Sequence, residues 1–408
     1  MSRQVFTIAA LVLMLGVAGY AASDEAPAGP QVSKAMAKPL KAAQEAVQAK
    51  KYTDALARLK EADAIPEKSP YDQFVIAYLY EQIYVPQNDP VSAAPYLEQL
   101  TQSQYTPAAS KLSMYKALMS INLQQKNYPK SEEFALDAIK AGDSSDETVK
   151  TLGQIYYIDN KLKDSAVQFL ELINRAEQAG RKPDEKVLVF YWEVSTKLKD
   201  DASAGRALDK LVALYPKPEY WQNAMVSLQT GNIHDDRLLI NIYRLKAEVG
   251  ILNQPADFTE MAQIALDQGN PGEAQTVMEQ AFSKKVYSDP HDVERNQRLL
   301  ETARKAAAAD RAAMAKNEKD AQAAPAGDEL VQIGAAYLGF GLPDKAADAI
   351  DAGIAKGSLK RPNEAYLLLG IARARLKNAA EAGKAFGKVS GDPKYVRLAK
   401  LWELATHT

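Results

Sequence analysis

Eight times along this chain a small residue, Ala or Ser, is followed four positions on by an apolar residue and three further on by an apolar or small one. The leading residues are Ala55, Ala93, Ser131, Ser165, Ala204, Ala274, Ala346 and Ala382. Behind them come Leu59, Leu97, Ala135, Phe169, Leu208, Met278, Ile350 and Phe386, then Ala62, Leu100, Ala138, Leu172, Leu211, Ala281, Gly353 and Val389. Positions i, i+4 and i+7 share one helical face. A small residue at the head of that face lets a second helix backbone come close. From 131 to 165 is 34 residues, 55 to 93 and 93 to 131 are 38 each, and 346 to 382 is 36. A period of this size marks a two-helix unit that cannot bury its apolar face alone and stacks on copies of itself. The steps from 204 to 274 and from 274 to 346, 70 and 72 residues, are close to two periods. Each is expected to hold one degraded repeat.

A second signal precedes the small residues. Leu152-Gly153-Gln-Ile-Tyr156 is echoed by Ile333-Gly334-Ala-Ala-Tyr337 and by Leu369-Gly370. This Leu-Gly-x-x-Tyr grammar, with the period, resembles the tetratricopeptide repeat (TPR) over roughly 32–389. The resemblance implies an all-α fold, a right-handed TPR superhelix (an α–α solenoid) of about ten helical pairs. The first long step fills with a helix over 219–229, a turn at Gly231 and a helix over 235–249. The second is different: 292–323 is rich in Ala, Arg, Lys, Glu and Asp, with few large apolar residues beyond Leu299, Leu300 and Met314. It predicts one or two extended, largely solvated helices or a hinge, broken by Ala323-Ala-Pro-Ala-Gly-Asp328. A last helix over 395–405, carrying Val396, Leu398, Leu401, Trp402 and Leu404, is expected to cap the final apolar face. The domain reading is a signal peptide at 1–23, a linker at 24–31, a TPR solenoid at 32–286, a degenerate helical segment and linker at 287–327, and a TPR pair with its cap at 328–408.

Bulk chemistry narrows the function. The 408 residues carry 50 basic and 52 acidic side chains, a formal charge of −2, which disfavours a phosphate-backbone binder and so a nucleic-acid partner. With no cysteine, thiolate chemistry and cysteine-ligated metals are out. At the N-terminus, Arg3 precedes an apolar run from Val5 to Val17 and then Ala18-Gly-Tyr-Ala-Ala-Ser-Asp24. That is the grammar of a cleavable secretory signal, cut after Ala21 or Ser23; the run is short of the roughly 20 residues a spanning helix needs, the alternative being an uncleaved inner-membrane anchor. The expectation is a periplasmic protein with no membrane span after cleavage.

No Gly-rich phosphate loop, His-Glu-x-x-His or Gly-x-Ser-x-Gly occurs. His234-Asp-Asp236 and Asp289-Pro-His291-Asp292 sit where helices start, so their acids read as caps. The expectation is no enzyme, no catalytic residue, no metal and no cofactor. Tyr71, Phe74, Tyr78, Tyr80, Tyr84, Tyr191 and Trp192 have the spacing of inter-repeat core, with a remainder left to line a groove. In this repeat class the first helix of each unit lines the concave side. Counting back from the small residues places Lys116, Ser120 and Leu123 there, then Glu147, Lys150, Thr151, Gln154 and Tyr157, then Lys186, Phe190 and Glu193. Lys116, Lys150, Gln154, Tyr157, Lys186 and Phe190 are the candidate groove contacts, the lysines suited to a carboxylate or an acidic peptide. The set only partly resembles a TPR carboxylate clamp, because Ser120, Thr151 and Phe190 depart from its pattern.

Three stretches, 211–223 (Leu-Val-Ala-Leu-Tyr-Pro-Lys-Pro-Glu-Tyr-Trp-Gln-Asn), 260–266 and 353–362, resemble exported proteobacterial TPR proteins of TonB/ExbB/ExbD energy-transduction clusters. That resemblance implies a periplasmic scaffold for protein partners beside TonB-type envelope machinery. A periplasmic chaperone, or a peptide or small-ligand binding module using the concave groove, is the alternative.

Overall fold

The computed structural model describes residues 30–229 and 235–407. The expected signal peptide, most of the linker, Gly231 and His234 lie outside them. Among the described residues all regular structure is helical, twenty helices in chain order, as the repeat pattern requires. They form two compact units that part between Pro183 and Asp184, inside the stretch 32–286 that the sequence reading treats as one solenoid.

The first unit stacks four pairs: α1 (Lys34–Gln48) with α2 (Tyr52–Asp63), α3 (Pro70–Tyr84) with α4 (Pro90–Gln102), α5 (Ala108–Gln124) with α6 (Tyr128–Lys140), and α7 (Asp146–Ile158) with α8 (Leu162–Gln178). The second opens with α9 (Glu185–Lys197) and α10 (Asp201–Leu214), α11 (Pro218–Gln229) and α12 (Asp236–Glu248), and α13 (Pro255–Asp267) and α14 (Pro271–Ser283). It continues through a lone α15 (Pro290–Ala323) to α16 (Asp328–Gly339) with α17 (Pro343–Lys356), α18 (Pro362–Arg375) with α19 (Ala379–Phe386), and α20 (Pro393–Ala405).

Every small residue that heads a second helix is buried, and so are the apolar residues four and seven positions behind it. The reason is visible at the serines. Ser131 Oγ donates to the Met119 carbonyl and Ser165 Oγ to the Gly153 carbonyl, each at 2.8 Å. Both reach the backbone of the partner helix, a distance only Ala, Ser or Gly can keep. The signature glycines supply the other side of the contact. A Cβ on Gly153 would meet the Phe169 ring at 3.0 Å, on Gly334 Ile350 Cγ1 at 2.3 Å, and on Gly370 the Phe386 ring at 2.3 Å. In all three the neighbour is the residue four past the small one.

The turn joining the two helices is equally uniform. Five residues before each small residue the backbone is left-handed, at Lys50, Asn88, Lys126, Asn160, Lys199, Gly269, Gly341 and Lys377. The paired hydrogen bonds of a Schellman motif close all eight turns, as in Lys126 N to Leu123 O and Asn127 N to Asn122 O. Six of the eight are not glycine, each costing about 1–2 kcal/mol of backbone strain that the packed pair must outweigh.

The second long step does not hold a degraded pair. Residues 290–323 form one continuous helix of 34 residues, the single extended helix among the forms its composition predicts. Asn296, Leu300, Ala303, Ala307, Met314 and Ala321 are buried along one side, toward α14 and α16. Small alanines let this helix pack closely with few large side chains. The remaining charged faces are solvated, as its composition implies.

The last helix does more than cap its neighbour. Besides α19 and α18, α20 packs on α10 and α12. Arg397 bonds Asp209 (3.1 Å) and Ser227 (2.8 Å), and the Tyr395 hydroxyl donates to Asp235 (3.3 Å). Trp402 is 0% exposed, its indole N–H 3.4 Å from the Asn241 carbonyl. The second unit therefore closes on itself, and α12 becomes central: eight of its thirteen residues are buried, including Arg244 and Lys246. Those charges are paired. Arg244 grips Glu273 with Nε–Oε1 at 2.6 Å and Nη2–Oε2 at 2.5 Å, Lys246 reaches Asp257 at 3.0 Å, and Arg237 reaches Glu364 at 3.0 Å.

Two outcomes follow, both read by urea unfolding with tryptophan fluorescence, since Trp192, Trp221 and Trp402 all lie in the second unit. Gly334→Ala gains about 1 kcal/mol of helix propensity but drives a methyl into Ile350, for a net loss of about 1–2 kcal/mol. Glu273→Ala strands a buried guanidinium and costs about 3–5 kcal/mol, whereas the double replacement Arg244→Met/Glu273→Leu recovers most of that loss.

Candidate functional site

On α5 and α7 stacking leaves one row of the first helix outside the core. On α7, Val149, Leu152, Gly153 and Ile155 are buried, while Lys150, Gln154 and Tyr157 stand half-exposed at i, i+4 and i+7. The three share a face, as the counting predicts. Thr151, placed in the groove by the same counting, is buried instead, because it sits one step round the helix toward the core. Glu147 is exposed.

Lys116 on α5 is half-exposed and engaged. Its Nζ lies 3.3 Å from Ser145 Oγ and 3.7 Å from Asp143, in the turn between α6 and α7. Asp143 was not singled out from the sequence, yet it organises this turn. Its carboxylate accepts from the Ser145 backbone N–H (3.2 Å), the Ser145 hydroxyl (2.9 Å) and the Thr148 hydroxyl. Burial pushes the Asp143 carboxyl up, but these hydrogen bonds and nearby Lys116 outweigh it and hold the group below its ordinary value. Lys116 therefore ties α5 to the start of α7, and only part of its charge faces outward.

Lys186 and Phe190 stand on α9, in the second unit, Lys186 exposed and Phe190 half-buried. The six candidate contacts are thus divided between the units, four in the first and two in the second.

The acids expected to be caps are caps where they can be seen: Asp289 Oδ1 accepts from the backbone N–H of His291 (2.8 Å) and Asp292 (3.3 Å). Of the conspicuous aromatics, Phe74, Tyr80 and Tyr191 are buried, whereas Tyr71, Tyr78, Tyr84 and Trp192 are half-buried. Tyr80, Tyr84 and Tyr96 stack, Tyr80 and Tyr96 with centroids 4.1 Å apart, and the Tyr80 hydroxyl donates to Asp63 at 2.8 Å. Burial and that carboxylate push the Tyr80 phenol far up, so it stays a donor at any physiological pH. Among the described residues no three His, Asp or Glu side chains converge as a metal site, and no helix is long and apolar enough to cross a membrane.

No family model and no curated protein matches this chain. Solved structures do. A tetratricopeptide repeat protein from Parabacteroides merdae aligns at 11% identity over 81% of this chain and 98% of its own, with a TM-score of 0.29. Naa15/Naa10 bound to HypK aligns at 15% identity over 86% of this chain and 62% of that one, at 0.32. The P58(IPK) TPR domain aligns at 14% identity over 84% and 99%, at 0.22. With scores this low, the assignment of stacked TPR-type helix pairs rests on the turn and contact geometry described above.

Because folded Asp143 is held below the ordinary carboxylate value, its contribution is in place above about pH 4 and is lost as pH falls through the folded value. Asp143→Asn should cost the first unit about 1–3 kcal/mol at pH 7 and flatten the acid limb of its stability profile. Circular dichroism during urea unfolding checks both.

Proposed function

We propose that this chain is a non-enzymatic protein-interaction scaffold, exported to the periplasm and working beside TonB/ExbB/ExbD-type envelope machinery. The observation that carries the scaffold reading is the α7 row. Lys150, Gln154 and Tyr157 present an ammonium, an amide and a phenol on one face of a helix whose other faces are fixed in the core. Such a row, mounted on a rigid element, suits a polar or acidic segment of a protein partner. The export reading is supported by the n-, h- and c-region pattern over 1–23, and the TonB reading by the resemblance carried in 211–223, 260–266 and 353–362.

Crosslinking and pull-down from envelope fractions test the reading. The wild-type chain should capture membrane-anchored partners, with TonB-type components among them, and Lys150→Glu/Tyr157→Ala should lose them while its circular dichroism stays unchanged. If the double variant captures the same proteins, α7 is not the docking face. Osmotic-shock fractions should contain a chain that begins after Ala21 or Ser23; a full-length chain confined to the cytosol would sink the export reading.

A further inference from the structure

In the first unit, the end of α2, the first half of α3 and the end of α4 enclose a cleft of about 650 Å³, within the range of small-molecule sites. Its lining is more polar than such sites usually are. Gln73 comes from α3, Gln99 and Gln102 from α4, and Gln104 from the segment that follows. All four are exposed, and among the described residues none has a side-chain hydrogen bond to the protein. Each amide offers two donor hydrogens and an acceptor oxygen side by side.

One acid and one cation line the cleft. Asp63 accepts from Tyr80, and Lys68 Nζ donates to the carbonyls of Asp63 and Ile65, both at 2.8 Å. Lys68 keeps its charge and a third N–H, and the Asp63 carboxylate lines the same cleft, so the one cation is offset by an acid that disfavours a phosphate or carboxylate. One wall is aromatic: half-buried Tyr105 lies 5.7 Å from the Phe74 ring and 5.0 Å from Tyr71, nearly perpendicular to it at 75°. Those contacts fix the orientation of its ring.

We propose that this cleft binds a neutral polyhydroxylated ligand, a segment of an oligosaccharide. A sugar hydroxyl is both donor and acceptor, as each glutamine amide is, so adjacent hydroxyls can each meet a complementary group. The C–H face of a pyranose packs on an aromatic ring such as Tyr105. An apolar ligand would leave the four amides unpaired, at a desolvation cost the ring contact does not offset. An extended peptide would need pockets for alternate side chains, and this lining offers one aromatic wall. The site stands apart from α7 and does not depend on the scaffold reading.

Calorimetric titration of the full chain with cellotetraose, maltotetraose and chitotetraose tests the proposal. At least one should bind with a Kd at or below about 1 mM. Gln99→Ala/Gln102→Ala should weaken it about tenfold without moving the thermal midpoint of the free protein, since both side chains are exposed. Tyr105→Phe, which keeps the ring, should retain binding. The proposal is overturned if none of the three binds, if binding survives loss of both amides, or if a neutral glycine–serine peptide binds as tightly with the same dependence on Gln99 and Gln102.

Discussion

Where Ser165 meets Gly153, two helix backbones lie within one side-chain hydrogen bond of each other. Everything larger in this molecule depends on that separation. It admits only Ala, Ser or Gly at the point of contact, and it puts the Phe169 ring against the glycine. It also brings the helix ends near enough for a short turn, three residues long in seven of the eight pairs, to join them. Each turn spends one residue in the left-handed region, and at six of eight positions that residue is Lys or Asn rather than Gly. The strain is tolerated because the pair's geometry is fixed elsewhere, by buried residues along the whole length of both helices. One pair leaves an apolar face uncovered, and the next pair covers it.

The same rule has different consequences in the two units. In the first, four pairs follow one another and the rows of α5 and α7 stay half-exposed at the surface. In the second, α20 returns to α10 and α12, and the residues that would have been surface become interior. That is why α12 carries Arg244 and Lys246 into the core, and why Glu273 and Asp257 must accompany them. Burying a guanidinium is tolerable only with its partner in place. The lone α15 belongs to the same adaptation. Its alanines let a single long helix fill a position that two helices occupy elsewhere.

The surfaces left after stacking divide by chemistry. The α7 row is a set of polar tips on a rigid rod, a form suited to another chain. The cleft around Gln99 and Tyr105 is smaller, amide-lined and walled by a ring, a form suited to a compact neutral ligand. Lys116 shows how a residue can belong to surface and scaffold at once: its ammonium reaches Asp143 and Ser145 and so steadies the helix that carries the row.

Much of this was legible in the residues alone. Period, small residues and apolar faces fixed the pairing of helices, the glycine contacts and the capping role of Asp289, because each arises from local spacing on one helix. Lys150, Gln154 and Tyr157 were placed on one face for the same reason. Thr151 was misplaced because a one-residue step on a helix turns the side chain by about 100°, and only the packed partner says which side of that step is core. Asp143 was missed. Its bonds to Ser145 and Thr148 are local, and an acid two residues before a serine in a turn could have flagged them. Its contact with Lys116, 27 positions earlier, comes only from packing. The composition of 292–323 allowed one or two extended helices or a hinge, and the structure holds one continuous helix; composition reports how much a helix can bury, not what lies beside it. The sequence by itself determined the repeating unit, whose contacts lie within about 35 residues. Which faces remain open was decided by tertiary structure: the return of α20 to α10 and the burial of α12 join residues through packing that no local period encodes.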